Sequence, residues 1–165
     1  PAGVATREVL IPLHILHDRL MPEVVWAAAA SGPLPGHDPP MSFHADVALS
    51  DVTEAPDILL SPGGFGSLSM TEDEEALEAL RRLAEPSTTV CLAISTGSLP
   101  LAAAGLLDGV RVSSHWLAKP DLERFGAIPV DHAHIQTGDV FSASGWVSAE
   151  AAAKAVADYV EYGRA

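Results

Sequence analysis

At 165 residues the chain is long enough for one domain with one hydrophobic core, and its 48% apolar residues suit a folded globular protein rather than a disordered one. Nine Lys and Arg against 22 Asp and Glu give a formal net charge of −13, which argues against nucleic acid or an anionic membrane as partner, because both need a basic surface. The single cysteine, Cys91, rules out an intramolecular disulfide and fits a reducing compartment.

In chain order, residues 8–20 read as a helix with Pro12 near its start and Leu13, Leu16 and Leu20 on one face. Residues 24–29 form a short apolar run closed by Ser31-Gly32-Pro33, read as a buried strand, and residues 31–40 are a Gly/Pro-rich loop. A short strand is expected over residues 46–49 and another over residues 58–60, which stops at Pro62-Gly63-Gly64. Thr71 followed three residues later by Glu74 reads as a capping box. The helix behind it carries Leu77, Leu80 and Leu83 inward, runs to about residue 85 and is ended by Pro86.

Residues 90–94 are the next buried strand, residues 97–107 a helix, and Asp108-Gly109 a turn. A strand over residues 110–114, a short helix from Pro120 to Gly126, a hairpin over residues 135–142 around Gly138-Asp139 and a helix over residues 149–162 complete the chain. Strands made of continuous apolar runs and alternating with helices predict a mostly parallel sheet covered on both faces, an α/β domain spanning residues 1–165. No apolar run reaches membrane-spanning length and no signal segment opens the chain, so the expectation is a soluble, cytoplasmic protein.

Ligands of open parallel sheets bind beyond the carboxyl ends of the strands. Two such ends carry chemistry here. Leu60-Ser61-Pro62-Gly63-Gly64-Phe65-Gly66 places three glycines in four positions, which lets backbone N–H groups approach a ligand. It lacks the Gly-Lys-Ser/Thr of a P-loop and the spacing of a dinucleotide fingerprint. Ile94-Ser95-Thr96-Gly97 is a strand-to-helix elbow that lifts Ser95 above the sheet. The N–H of Thr96 with those of Gly63 and Gly64 suggests an oxyanion hole. Either turn alone is more often a plain loop; two at separate strand ends favour a site.

These residues resemble a known family. Residues 57–66, D-I-L-L-S-P-G-G-F-G, are similar to a segment of the ThiJ/PfpI superfamily. So are residues 95–109, S-T-G-S-L-P-L-A-A-A-G-L-L-D-G, and Ser114-His115-Trp116 and Glu161-Tyr162 follow in the family's order. Glu8, four residues before Pro12, stands where the family has an acidic residue. The nearest branch is that of isonitrile hydratases, because Thr96 rather than His follows the elbow residue. The resemblance implies a flavodoxin-like three-layer fold of the glutamine amidotransferase-like class, a homodimer, no metal or organic cofactor, and a small-molecule substrate. It implies a nucleophile at position 95, an acid at Glu8, Thr96 as neighbour, and a binding wall of Gly63, Gly64, Phe65, His115 and Trp116.

The sequence departs from that pattern in three places. Ser95 stands where the family has Cys. The family's opening strand falls before Pro1, and one late helix after residue 148 is lacking, which leaves either a gap for a partner or a shortened version of a longer chain. A helix N-terminus can activate a thiol, but a serine hydroxyl needs a general base, for which His115 is the nearest candidate by sequence. Ser95 as it stands therefore predicts weak covalent chemistry or none. It is either a replacement that silences the enzyme or the natural residue of a protein that binds a ligand or works by acid–base chemistry through Glu8. A Ser-dependent hydrolase and a non-catalytic sensor are the alternatives to a hydratase.

Other residues have plainer readings. Cys91 lies in a buried strand and behaves as a small hydrophobe. The pairs His14/His17 and His132/His134 lack a third ligand at zinc spacing and read as surface residues. The acidic run over residues 72–75 suits a helix start. Trp26, Trp116 and Trp146 read as core or interface residues, the last two also as pocket walls.

Overall fold

The computed structural model describes residues 3–36, 41–84 and 89–163. Its helices are α1 (Thr6–Leu20), α2 (Phe65–Met70), α3 (Glu74–Ala84), α4 (Ser98–Ala103), α5 (Lys119–Arg124) and α6 (Trp146–Tyr162). Its strands are β1 (Ala27–Ala28), β2 (Gly32–Pro35), β3 (Ser42–Ala45), β4 (Val47–Ala48), β5 (Ile58–Ser61), β6 (Val90–Ile94), β7 (Arg111–Val112), β8 (Ile128–Pro129), β9 (His134–Thr137) and β10 (Val140–Ala143). The central sheet has the order β5-β6-β10-β9; the first three strands are parallel and β9 is antiparallel.

Strand β6 shows why this is a three-layer α/β sandwich. Successive side chains of a strand point to opposite faces. Val90, Leu92 and Ile94 pack with Leu16 of α1 and with Ala149, Ala152, Ala153, Val156 and Ala157 of α6. Cys91 and Ala93 face the other way, among Leu77, Leu80 and Leu83 of α3 and Leu99 and Leu101 of α4. All five β6 residues are buried, as the unbroken apolar run predicts for a central parallel strand. Arg19 of α1 pairs with Asp158 and Glu161 of α6 at the outer end of their contact.

Several elements differ from expectation. The run over residues 24–29 is not a buried strand: only Ala27–Ala28 pair, with β4, and Val24 and Val25 are exposed. Apolar composition gives no information on what covers that edge. Within the expected loop, β2 and β3 form an antiparallel hairpin; a two-stranded ladder tolerates Pro33 and Pro35, since each strand has a free side. Residues 37–40 of that loop, and the helix end assigned to residue 85 and Pro86, lie outside the described residues.

The cap of α3 is Asp73, whose Oδ1 accepts the Ala76 N–H at 3.1 Å, while the Thr71 hydroxyl donates back to the Leu68 carbonyl and closes the end of α2. The helix after the elbow splits into a 3₁₀ turn over Ser95–Gly97 and the short α4, followed by turns to Gly109. The strand expected over residues 110–114 is two residues long and pairs with β8, which the sequence pattern did not reveal. The last helix begins three residues before the expected start.

Candidate functional site

Ser61, Ile94 and Ala143 end three adjacent parallel strands on the same side of the sheet. The next residues of each strand build the site: Gly63 and Gly64 after β5, Ser95 and Thr96 after β6, Ser144 and Gly145 after β10. This is where an open α/β sheet offers a ligand its crevice.

Ser95 has φ of 58°, a left-handed conformation that a side chain adopts at a cost of order 1–3 kcal/mol. The surroundings hold it there. Its carbonyl accepts the Ser114 hydroxyl at 2.6 Å and the Ser98 hydroxyl at 3.1 Å, and those two hydroxyl oxygens lie 2.8 Å apart. The Ser61 hydroxyl donates to the Gly97 carbonyl at 2.7 Å. Gly97 has no alternative: a Cβ there would lie 2.0 Å from the Ser61 carbonyl oxygen.

Glu8 reaches the same place from the first turn of α1. It is buried, and its Oε2 accepts the Gly63 N–H at 3.0 Å. The first turn of a helix suits a carboxylate, and Pro12 supplies no N–H to the Glu8 carbonyl four residues before it. Gly63 is the hub. A Cβ on Gly63 would lie 2.4 Å from Glu8 Oε2, 2.9 Å from Thr96 Oγ1 and 3.0 Å from Ser95 Cβ, so all three side chains converge on the space that the glycine leaves open. Thr96 Oγ1 accepts the Gly64 N–H at 3.0 Å and the Ser67 hydroxyl at 2.8 Å, which ties the elbow to α2.

Glu8, Ser95, Thr96, Gly63 and Gly64 thus come together as the sequence suggested, with one correction. The Gly63 and Gly64 N–H groups are engaged by Glu8 and Thr96, so they do not face a ligand as the expected oxyanion hole requires. Their convergence still leaves the acid against the elbow residue. Phe65, expected in the binding wall, opens α2 with its ring against Gly3, is more than half exposed, and is not among the residues lining the cleft described next.

A cleft of about 410 Å³ lies beside the elbow, lined by Ser114, His115, Trp116, Lys119, Asp131, His132 and Ser144 among others. Ser114 links it to the elbow through the Ser95 carbonyl, and Gly145, next to Ser144, lies 3.9 Å by its Cβ position from Glu8 Oε1. His115 and Trp116, expected to wall the binding site, both line this cleft. As a base for Ser95, however, His115 is not poised: its Nδ1 accepts the Leu117 N–H at 3.3 Å and caps the following turn. Trp146 flanks the site with the Arg7 guanidinium 4.8 Å above its ring. Trp26 lies elsewhere, stacked on Phe43.

His14 pairs with Asp18 on the exposed side of α1. Among the described residues no group of three His, Cys, Asp or Glu is disposed to hold a metal, and no helix is long and apolar enough to cross a membrane. Burial pushes the Cys91 thiol up to about 11, with the Asp139 charge adding to it, so Cys91 is no nucleophile at neutral pH. The hydroxyls of Ser61, Ser67, Ser98 and Ser114 had no role in the sequence reading. Only Ser114 carried a signal, as the first residue of the Ser-His-Trp triplet.

The model of the DJ-1/PfpI family matches residues 2–158. The chain belongs to the DJ-1/PfpI family. Within it, the chain is 40% identical over 92 residues to an isonitrile hydratase of Pseudomonas putida, a match covering 54% of this chain and 39% of that protein. The matched segment thus spans about two fifths of that relative's length. DJ-1/PfpI folds also match in three dimensions. A ThiJ/PfpI family protein of Pseudomonas syringae superposes with a TM-score of 0.84 at 23% identity, covering 95% of this chain and 64% of that one. A ThiJ/PfpI domain protein of Brachyspira murdochii gives 0.86 at 18% identity, covering 97% and 91%. Drosophila melanogaster DJ-1beta gives 0.79 at 22% identity, covering 95% and 84%. These likenesses carry the flavodoxin-like DJ-1/PfpI fold.

Proposed function

We propose that this site hydrates isonitriles to N-substituted formamides, with Ser95 holding the nucleophile's position at low reactivity. The observation that carries the reading is the convergence of Glu8 Oε2 and Ser95 Cβ on the open side of Gly63, beneath a left-handed elbow residue. The similarity to an isonitrile hydratase supports the choice of reaction.

In the proposed reaction the side chain at position 95 adds to the terminal carbon of R–N≡C. That carbon gains a proton, and the product is an imidate, R–N=CH–X–enzyme. That proton comes from X–H: the Glu8 carboxylate, hydrogen-bonded to the Gly63 N–H, takes it from the side chain and passes it to the carbon. Water then adds to the imidate carbon, the nitrogen is protonated, and the C–X bond breaks. R–NH–CHO leaves and the side chain regains its proton. Atoms balance as one isonitrile plus one water.

A thiol suits X because a thiolate forms near neutral pH at such an elbow, whereas a hydroxyl does not. His115 is bonded to its own turn and is not poised to activate Ser95, and the Glu8 carboxylate is a weak base toward an alcohol. The expected result is little or no formamide from this chain and clear turnover after Ser95→Cys, read by the formyl proton in NMR with n-butyl isonitrile as substrate. Binding without turnover in both forms favours a non-catalytic sensor. Labelling of Ser95 by a phosphonate probe favours a hydrolase.

A further inference from the structure

We infer that the cleft beside the elbow receives a small molecule carrying a carboxylate on an apolar body, with the carboxylate displacing Asp131 from the Lys119 ammonium. The inference rests on reading the elbow as a small-molecule site and adds the class of molecule.

The charge pattern points this way. The protein as a whole carries −13 with its histidines neutral, whereas the cleft balances one ammonium, Lys119, against one carboxylate, Asp131, with the His115 and His132 rings beside them. The Lys119–Asp131 pair is asymmetric. The Lys119 side chain is 27% exposed and held in the cleft wall, while that of Asp131 is 95% exposed. The fixed partner is the cation, and the carboxylate on it comes from the surface. An exposed ion pair holds weakly, so an incoming carboxylate exchanges for Asp131 at little cost and leaves the Asp131 side chain in water.

The apolar part has a place as well. Trp116 is 69% exposed and its ring lies 5.7 Å from the His115 ring, an aromatic surface in the same cleft as Lys119. At the inner end Ser114 and Ser144 lead to the elbow. A molecule with its carboxylate on Lys119 and its body on Trp116 has room to reach Ser114 and Ser144, the lining residues next to the elbow.

The test is a titration of the uniformly ¹⁵N-labelled protein with benzoate and with benzamide, its neutral isostere, at constant ionic strength. Benzoate is expected to shift the Trp116 indole N–H and residues 114–116 and 131–133, and to bind about five-fold or more tighter than benzamide. Lys119→Met is expected to weaken benzoate by about ten-fold and leave benzamide unchanged. Asp131→Asn, at an exposed position that does not threaten folding, is expected to tighten benzoate by about three-fold. Equal affinities for the two probes, shifts mapping elsewhere, or no effect of Asp131→Asn overturns the inference. The readout needs no turnover. Benzoate binding without hydration leaves the cleft assignment standing and removes the hydratase reading, and hydration without a benzoate preference does the reverse.

Discussion

The Glu8 carboxylate accepts the Gly63 N–H at 3.0 Å and fills the space where a Gly63 side chain would sit. Helix α1 and the turn after β5 are thereby locked together at the elbow. Gly63→Ala forces its methyl to within 2.4 Å of Glu8 Oε2. The expected cost is about 1–3 kcal/mol in urea unfolding, as for other overpacked sites, together with loss of any activity regained by Ser95→Cys. A stability and activity equal to the parent's would show that Glu8 and the elbow residue do not share that space.

Ser98 and Ser114 hold one carbonyl between them. Each single Ser→Ala change is expected to cost about 1 kcal/mol. The double change should depart from additivity by about 0.5 kcal/mol or more, because the two hydroxyl oxygens lie 2.8 Å apart and share the one carbonyl. Strict additivity in a double-mutant cycle contradicts a shared network.

Cys91 and a thiol introduced at position 95 should behave oppositely. The unsubstituted protein is expected to resist iodoacetamide at pH 8, and Ser95→Cys to gain one modified thiol at that pH. The raised Cys91 value also has a stability consequence. A thiol that ionises near 9 when unfolded and near 11 when folded binds more protons in the folded state between those values. Its contribution is therefore whole below about pH 9 and is lost as pH rises toward 11. Modification of Cys91 in the folded protein at pH 8 contradicts its burial.

Thr6 opens α1 with a buried hydroxyl that has no hydrogen-bond partner among the described residues. Thr6→Val removes that unpaired group at constant shape. It is expected to stabilise the protein by about 1 kcal/mol, a rise of about 2–4 °C in Tm for a chain of this size. A fall in Tm would mean that the hydroxyl is bonded in solution.

Much of the site was legible because its residues follow strand ends directly. Ile94-Ser95-Thr96-Gly97 and Pro62-Gly63-Gly64 mark sharp turns in any sequence, and burial of every β6 residue follows from its unbroken apolar run. The hydrogen bonds were not legible. Whether a glycine N–H faces a ligand or a neighbouring carboxylate depends on where a distant helix docks, as Glu8 on Gly63 shows. The edge over Val24 and Val25 was misread for the same reason: burial is decided by what covers a strand, and composition does not contain that. The capping box read at Thr71 does not form: Thr71 closes α2, and Asp73 caps α3 instead.

The central claim is that Glu8 acts on whatever is bound at residue 95. Its most direct test is the steady-state rate of formamide formation by Ser95→Cys with and without Glu8→Gln. The account predicts turnover in the Cys form, a loss in kcat of about 100-fold or more on replacing the Glu8 carboxylate, and a KM changed by less than about three-fold. No turnover in the Cys form, or a kcat indifferent to Glu8→Gln, contradicts it.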